Sequence, residues 1–186
     1  MSISREESLN LLKEYVKNDR MIAHSLASEA VMRSIAKRLG EDQDKWGIAG
    51  LLHDIDVEIT NGDMKLHGIK AVEILNEKGV SFDIIDAIMM HNEEASGKKR
   101  SEKFQHALAA GETITGLIFA TAMVYPDKKL SSVKPKSITK RMKEKAFAAS
   151  VKRENILECE KIDIPLNEFA ELSLTALQEI SEELGF

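Results

Sequence analysis

Five histidines are the side chains of this sequence best suited to hold a cation or move a proton near neutral pH: His24, His53, His67, His91 and His106. A histidine taken singly is more often a packed or surface residue than a ligand, so the surroundings decide. His24 interrupts the apolar repeat Ile22, Leu26, Ala30, Ile35. His53-Asp54 follows the run Ile48-Ala49-Gly50-Leu51-Leu52, and His91 closes the run Ala87-Ile88-Met89-Met90. His67 lies in the first turn of a helical stretch of its own. Polar groups against such runs are costly to bury without partners. A metal ion offsets that cost by giving imidazoles and a carboxylate one shared centre. Imidazole nitrogen with carboxylate oxygen suits Mn, Fe, Co, Ni or Zn rather than the all-oxygen shells of Ca or Mg.

The elements that must position these residues are helical. Ser4 and Glu7 have capping-box spacing, which predicts a helix that turns Leu9, Leu12 and Val16 inward. A second helix is predicted from Asp19 to the residue before Gly40, and a third from Asp42 to His53. Further helices are expected over residues 65–78, from the cap Ser81 to His91, and over 101–124, where Pro126 stops the chain. Shorter ones are expected over 137–150 and 153–161, then a last one over 167–184, with a polar loop over 93–100. No internal repeat, glycine-rich phosphate loop or sustained period-two alternation is present in the sequence.

Composition narrows the classes. A chain of 186 residues suits one domain with an ample core. It reads as all-α, with a metal-binding helical core over 1–125 and a C-terminal extension over 126–186 that packs on it. The one cysteine, Cys159, excludes an internal disulfide and a thiolate metal site. Met1-Ser2-Ile3-Ser4 leads into charged residues rather than an apolar stretch, and no run approaches the ~18 residues of a membrane span. A cytoplasmic location is therefore expected. The net charge of −5 argues against duplex DNA as a partner. Charge is uneven: residues 127–145 carry eight Lys or Arg against two acids, and 154–186 carry nine acids against Lys161. Such runs are usually solvated faces.

The ordered set His24, His53-Asp54, His67 and His91 resembles the HD-domain superfamily of helical metal-dependent phosphohydrolases. Gly50-Leu51-Leu52-His53-Asp54-Ile55-Asp56 is similar to the core motif, and His67-Gly68-Ile69-Lys70-Ala71-Val72-Glu73-Ile74-Leu75 to the helix that follows it. Thr115-Gly116-Leu117-Ile118 and Lys145-Ala146-Phe147-Ala148-Ala149 resemble a bacterial HDIG-type subgroup. The resemblance implies an HD-type helical bundle holding one or two divalent transition-metal ions. His24, His53 and Asp54 match the first three ligands. Glu112 stands where the superfamily has an aspartate. His67 and His91 match the additional ligands of two-metal members, with Asp54 as the bridging carboxylate. His106 has no counterpart; it lies six residues before Glu112, about 240° around a helix, and reads as structural.

The implied reaction is hydrolysis of a small phosphorylated substrate, a nucleotide or another phosphate ester, by metal-activated water. Asp54 or Asp56 would accept the proton. Lys128, Lys129, Lys134 and Lys136 would fold over the cleft and attract the anionic substrate. Asp56 and Glu58 otherwise read as solvated loop carboxylates. The Gly-Tyr-Pro signature of cyclic-di-GMP phosphodiesterases is missing. Two further readings stay open. One is a weakly or non-catalytic nucleotide- or metal-binding regulatory protein, which the glutamate at 112 favours; the other is a di-iron oxygenase on the same fold. The chain is expected to act as a monomer or homodimer, with neither membrane nor duplex DNA as a partner.

Overall fold

The computed structural model describes residues 3–186, with ten α-helices, two 3₁₀ turns and no strand among the described residues. Helix α1 (Arg5–Tyr15) starts as the capping box requires: the Ser4 hydroxyl accepts the Glu7 N–H, and the Glu7 carboxylate accepts the Ser4 N–H. Helix α2 (Asp19–Leu39) is capped by the Asn18 side chain and ends at Gly40, whose left-handed φ of 72° favours glycine. Helix α3 (Gln43–Leu52) is capped by Asp42. A run of turns then leads to α4 (Ile69–Glu77), α5 (Phe82–His91) and the single turn α6 (Glu93–Ser96). After α7 (Lys103–Met123) come α8 (Pro135–Met142), α9 (Arg153–Ile156), a 3₁₀ turn over Leu157–Ile162 and α10 (Leu166–Glu179).

Helix α7 is the central rod. It contacts α2, α3, α5, α8, α9, α10 and the 3₁₀ turn Leu157–Ile162. Its small residues Ala107, Ala109, Ala110 and Gly111 are fully enclosed and let neighbours come close. One continuous core runs from Leu11 to Leu184 and so includes both the N-terminal helices and the C-terminal segment. No helix among the described residues is long and apolar enough to cross a membrane.

Backbones of α2 and α3 approach closely. A Cβ placed on Gly50 would sit 2.6 Å from the Ser28 carbonyl oxygen. This contact falls one turn beyond His24 and three residues before His53, so it sets the separation of the first two histidines. The following segment is pinned as well: Glu58 accepts the backbone N–H groups of Lys17 (2.9 Å) and Asn18 (2.7 Å). Glu58 is thus a brace across the α1–α2 junction rather than a free loop carboxylate.

Five elements differ from the sequence pattern; the helix expected over 153–161 is α-helical only over Arg153–Ile156 and continues as a 3₁₀ turn, and the last one, expected to 184, stops at Glu179. Residues 65–68 are turn, and helix begins only at Ile69. The polar stretch 93–100 opens with the short α6, capped by Asn92. The helix expected over 137–150 starts at Pro135 and stops at Met142. Beyond it the Arg153 guanidinium takes carbonyls of Arg141, Glu144, Phe147, Ala148 and Val151, which binds the segment into turns. Apolar spacing could not signal one arginine competing for those acceptors.

Gly50→Ala should force α2 and α3 apart. We expect a loss of about 1–3 kcal/mol in urea denaturation, the usual cost of overpacking, together with weaker metal uptake measured on the same sample.

Candidate metal centre

Four elements deliver the candidate side chains. His24 projects from α2, His53 caps the end of α3 with Asp54 following it, His91 is the last residue of α5, and Glu112 lies midway along α7. His67 comes from the turn before α4. The structure brings all six together: ligand atoms of His24, His53 and Glu112 lie within 4.8 Å of one another, as do those of Asp54, His67 and His91. Asp54 sits between the sets. Its Oδ1 is 3.4 Å from His53 Nε2, 3.2 Å from His67 Nε2 and 3.6 Å from His91 Nε2, while its Oδ2 is 3.5 Å from His24 Nε2. Glu112 Oε2 is farther out, 3.9 Å from His24 Nε2.

In each of these four histidines the ring nitrogen turned away from the centre has a partner. His53 Nδ1–H donates to the Gly50 carbonyl (2.8 Å) and His91 Nδ1–H to the Ile88 carbonyl. His67 Nδ1–H donates to Asp56 Oδ1 (2.7 Å). His24 Nδ1 lies 2.9 Å from Thr115 Oγ1, whose own proton goes to the Glu112 carbonyl, so His24 is the donor there too. Each neutral ring therefore presents the lone pair of Nε2 to the centre. Yet Nε2 atoms meet at 3.1 Å for His24 and His53, and at 3.0 Å for His67 and His91. Two lone pairs at that distance repel unless a proton or a metal cation lies with them. The donor set fits a divalent transition metal.

The electrostatics agree. Burial opposes the charge on Asp54, but the surrounding imidazoles hold its carboxyl well below the usual carboxylate range. Burial pushes His53 down to about 3, so that ring stays neutral. Burial also works against charge on His67, but Asp54 and Asp56 on either side raise it to about 10. That proton occupies the place where a metal ligand must offer a lone pair. Burial raises Glu112 more than His24 and His91 lower it.

Asp56 is fully buried and takes no part in lining the cleft. Its Oδ1 accepts from His67, and its Oδ2 accepts the N–H groups of Gly68 (2.7 Å) and Ala71 (2.9 Å). With both oxygens occupied it cannot take a proton from water; it positions His67. Gly68, with φ of 95°, gives the backbone the turn that this requires. Residues with no signal of their own in the sequence complete the frame. Asn92 Nδ2 donates to the carbonyls of Met64 (2.7 Å) and His67 (2.8 Å). Arg100 donates to the His91 carbonyl (3.0 Å) and forms a two-pronged pair with Glu158 (2.7 and 2.8 Å). His106 is structural, 2.7 Å from Glu158.

The centre opens into a cleft of about 840 Å³ lined by His24, Asp54, His67, His91 and Glu112. Lys128, Lys129, Lys134 and Lys136 do not line it; all four are exposed. The physical reason is distance: Lys128 follows Glu112 by sixteen residues, the first eleven along α7, which carries the chain about 16 Å onward. The basic side chains in the cleft are instead Lys99, Arg100, Lys152 and Lys161.

Comparison with known proteins agrees with this geometry. The model of the HD domain family matches residues 21–154. Ribonuclease Y of Nitratidesulfovibrio vulgaris (strain DP4) is 33% identical over 81 residues, which cover 44% of this chain and 16% of the relative. Ribonuclease Y of Oleidesulfovibrio alaskensis is 30% identical over the same extent. The chain thus covers a small part of these relatives. No solved structure matches it.

Two expected outcomes follow from the frame. Asp56→Asn keeps the shape but offers one acceptor where two are needed, so metal affinity should fall by about 10–100-fold, read by titration with a competing chelator. Glu158→Ala strands the buried Arg100 and should cost about 3 kcal/mol in urea denaturation. Burial raises the Glu158 carboxyl, but Arg100 and His106 outweigh it and hold the group below its ordinary value of 4.5. A depressed pKa stabilises above the unfolded value and loses its effect as pH falls through the folded one. The parent's advantage over Glu158→Ala should therefore shrink as pH is lowered below 4.5.

Proposed function

The chain belongs to the HD domain family, a superfamily of metal-dependent phosphohydrolases, and we propose that it hydrolyses a nucleotide or other small phosphate ester. The observation that carries this reading is the convergence of four Nε2 atoms on Asp54, every Nδ1 being committed elsewhere. His24, His53, Asp54 and Glu112 would hold one divalent transition-metal ion, and Asp54, His67 and His91 a second, with Asp54 common to both. When bound, such ions supply Lewis acidity toward a phosphoryl oxygen and make water a stronger acid.

The protein's own groups divide the remaining work. Asp54, held ionised, is suited to ligation and is a poor proton acceptor. Asp56 keeps the His67 ring fixed. Glu112 is the other carboxylate of the His–Asp centre, and burial raises its carboxyl, so the carboxylate oxygen it does not give to a metal ion is the one we assign to receive a proton from water. The apolar side chains Val57, Met64, Val151 and Leu157 line the same cleft and can cover the uncharged part of an ester. The names of the relatives point to RNA as one polymer to include among substrates. Glu112 also favours a second reading, a weakly or non-catalytic nucleotide- or metal-binding protein, because its carboxylate stands 3.9 Å from His24 Nε2 whereas Asp54 stands at 3.5 Å.

Metal quantification followed by a phosphate-release screen over nucleotides, sugar phosphates and short RNA tests the two readings. Asp54→Asn removes the one negative charge shared by both ligand sets. It should lose bound metal and at least ~100-fold of hydrolysis while keeping its fold. Should Asp54→Asn retain its metal and the parent rate, the phosphohydrolase reading fails. Nucleotide binding without turnover by the parent would favour the second reading.

A further inference from the structure

The cleft has a second wall that the metal chemistry does not use. It is built from residues 150–161, whose cavity-lining members include Ser150, Lys152, Glu154, Asn155, Glu158 and Lys161. Of the four basic side chains in the cleft, two are already committed: Lys99 lies 2.6 Å from Glu93, and Arg100 is paired with Glu158. Lys152 and Lys161 make no ion pair and no side-chain hydrogen bond among the described residues, though both line the cleft.

These lysines are carried by a fixed segment. Arg153 Nη1 donates to the carbonyls of Ala148 (2.7 Å) and Val151 (2.9 Å), and Nη2 to those of Arg141 and Glu144 (3.3 Å each) and Phe147. Asn155 ties the wall to the rest of the cleft. Its Nδ2 donates to Thr113 Oγ1 on α7 (3.4 Å), and its Oδ1 accepts from Arg100 (3.1 Å). The backbone beneath Lys152 and Lys161 is therefore ordered before any ligand arrives, which lowers the cost of binding. Glu94 and Glu154 also line the cleft, so the wall is not a uniform positive field but offers discrete ammonium donors.

We propose that Lys152 and Lys161 form a subsite for a second phosphate of the substrate, apart from the phosphoryl group handled at the His–Asp centre. The inference rests on the phosphohydrolase reading for what that centre binds. A phosphoryl group at the centre is charge-compensated there and leaves the wall lysines without a partner. A substrate with one phosphate thus forgoes two charge-assisted contacts that a substrate with two phosphates makes. Two sources share this chemistry: a linked diphosphate, and phosphates on either side of one nucleoside.

Binding calorimetry on the full chain, metal-free and Mn²⁺-loaded, tests it with AMP, ADP and adenosine 3′,5′-bisphosphate. The parent should bind one of the doubly phosphorylated probes about tenfold or more tightly than AMP, the scale of charge-assisted hydrogen bonds. Lys152→Ala/Lys161→Ala should lose that preference while AMP affinity and metal content stay unchanged. Preference for ADP identifies the linked diphosphate, and preference for the bisphosphate identifies flanking phosphates. A parent with no preference, a parent that binds none of the probes, or a double variant that keeps the preference overturns the proposal. Since affinity ratios are read without turnover, failure to release phosphate from any substrate would sink the phosphohydrolase reading while leaving this result legible.

Discussion

The structure depends on how a compact set of polar ring atoms is kept inside an apolar helical core. A buried polar group left unpaired costs about 1–3 kcal/mol, and a domain's whole stability is about 5–15 kcal/mol. Four histidines and Asp54 placed together could consume much of that margin. The fold limits the loss by satisfying every Nδ1 from its own groups, leaving the uncompensated atoms facing one point. What remains is repulsion between Nε2 lone pairs, which a cation converts into attraction. Stability and metal binding are in this sense one property of the centre.

The means of satisfaction are local and repeated. His53 and His91 each end a helix, where carbonyls lack the next turn's N–H groups. Each ring donates to the carbonyl three residues back, Gly50 and Ile88 respectively. Helix ends thus orient two rings without recruiting another side chain. His67 lies outside a helix and has no such carbonyl, so a buried carboxylate, Asp56, does the equivalent task and also holds two backbone donors. His24 is mid-helix and needs a hydroxyl from α7, Thr115. The four rings differ in their orienting partner because they differ in their place in the backbone.

This explains what the sequence could and could not disclose. Caps act over a few residues: the starts read at Ser4 and Asp42 carry side-chain caps in the structure, whereas Ser81 makes no cap hydrogen bond. The candidate ligands were legible because they cluster beside apolar runs in a recognisable order. The role of Asp56 was not: a carboxylate two residues past Asp54 looks the same on paper whether it faces solvent or a histidine. The turns over 143–152 were equally hidden, since they depend on Arg153 reaching back to five carbonyls. Reading the basic stretch 127–145 as a cleft lid failed for the same reason. Charge density along the chain carries no information about which long-range contacts form.

The distribution of charge in the C-terminal segment makes sense once those contacts are known. Residues 154–186 are strongly acidic and would repel an anionic substrate if their carboxylates faced the cleft freely. The most buried of them, Glu158, is neutralised by Arg100 and hydrogen-bonded by His106, and Glu168 is paired with Arg38 on α2. Lys161 is the one base in that segment, and it lines the cleft. Glu158 and Glu168 therefore help dock the segment onto α2, α7 and the end of α5, Glu154 stays at the cleft, and the same docking presents Lys161 to the cleft. An acidic surface at long range and basic donors at short range favour a small ligand that enters the cleft over a polyanion that lies across it.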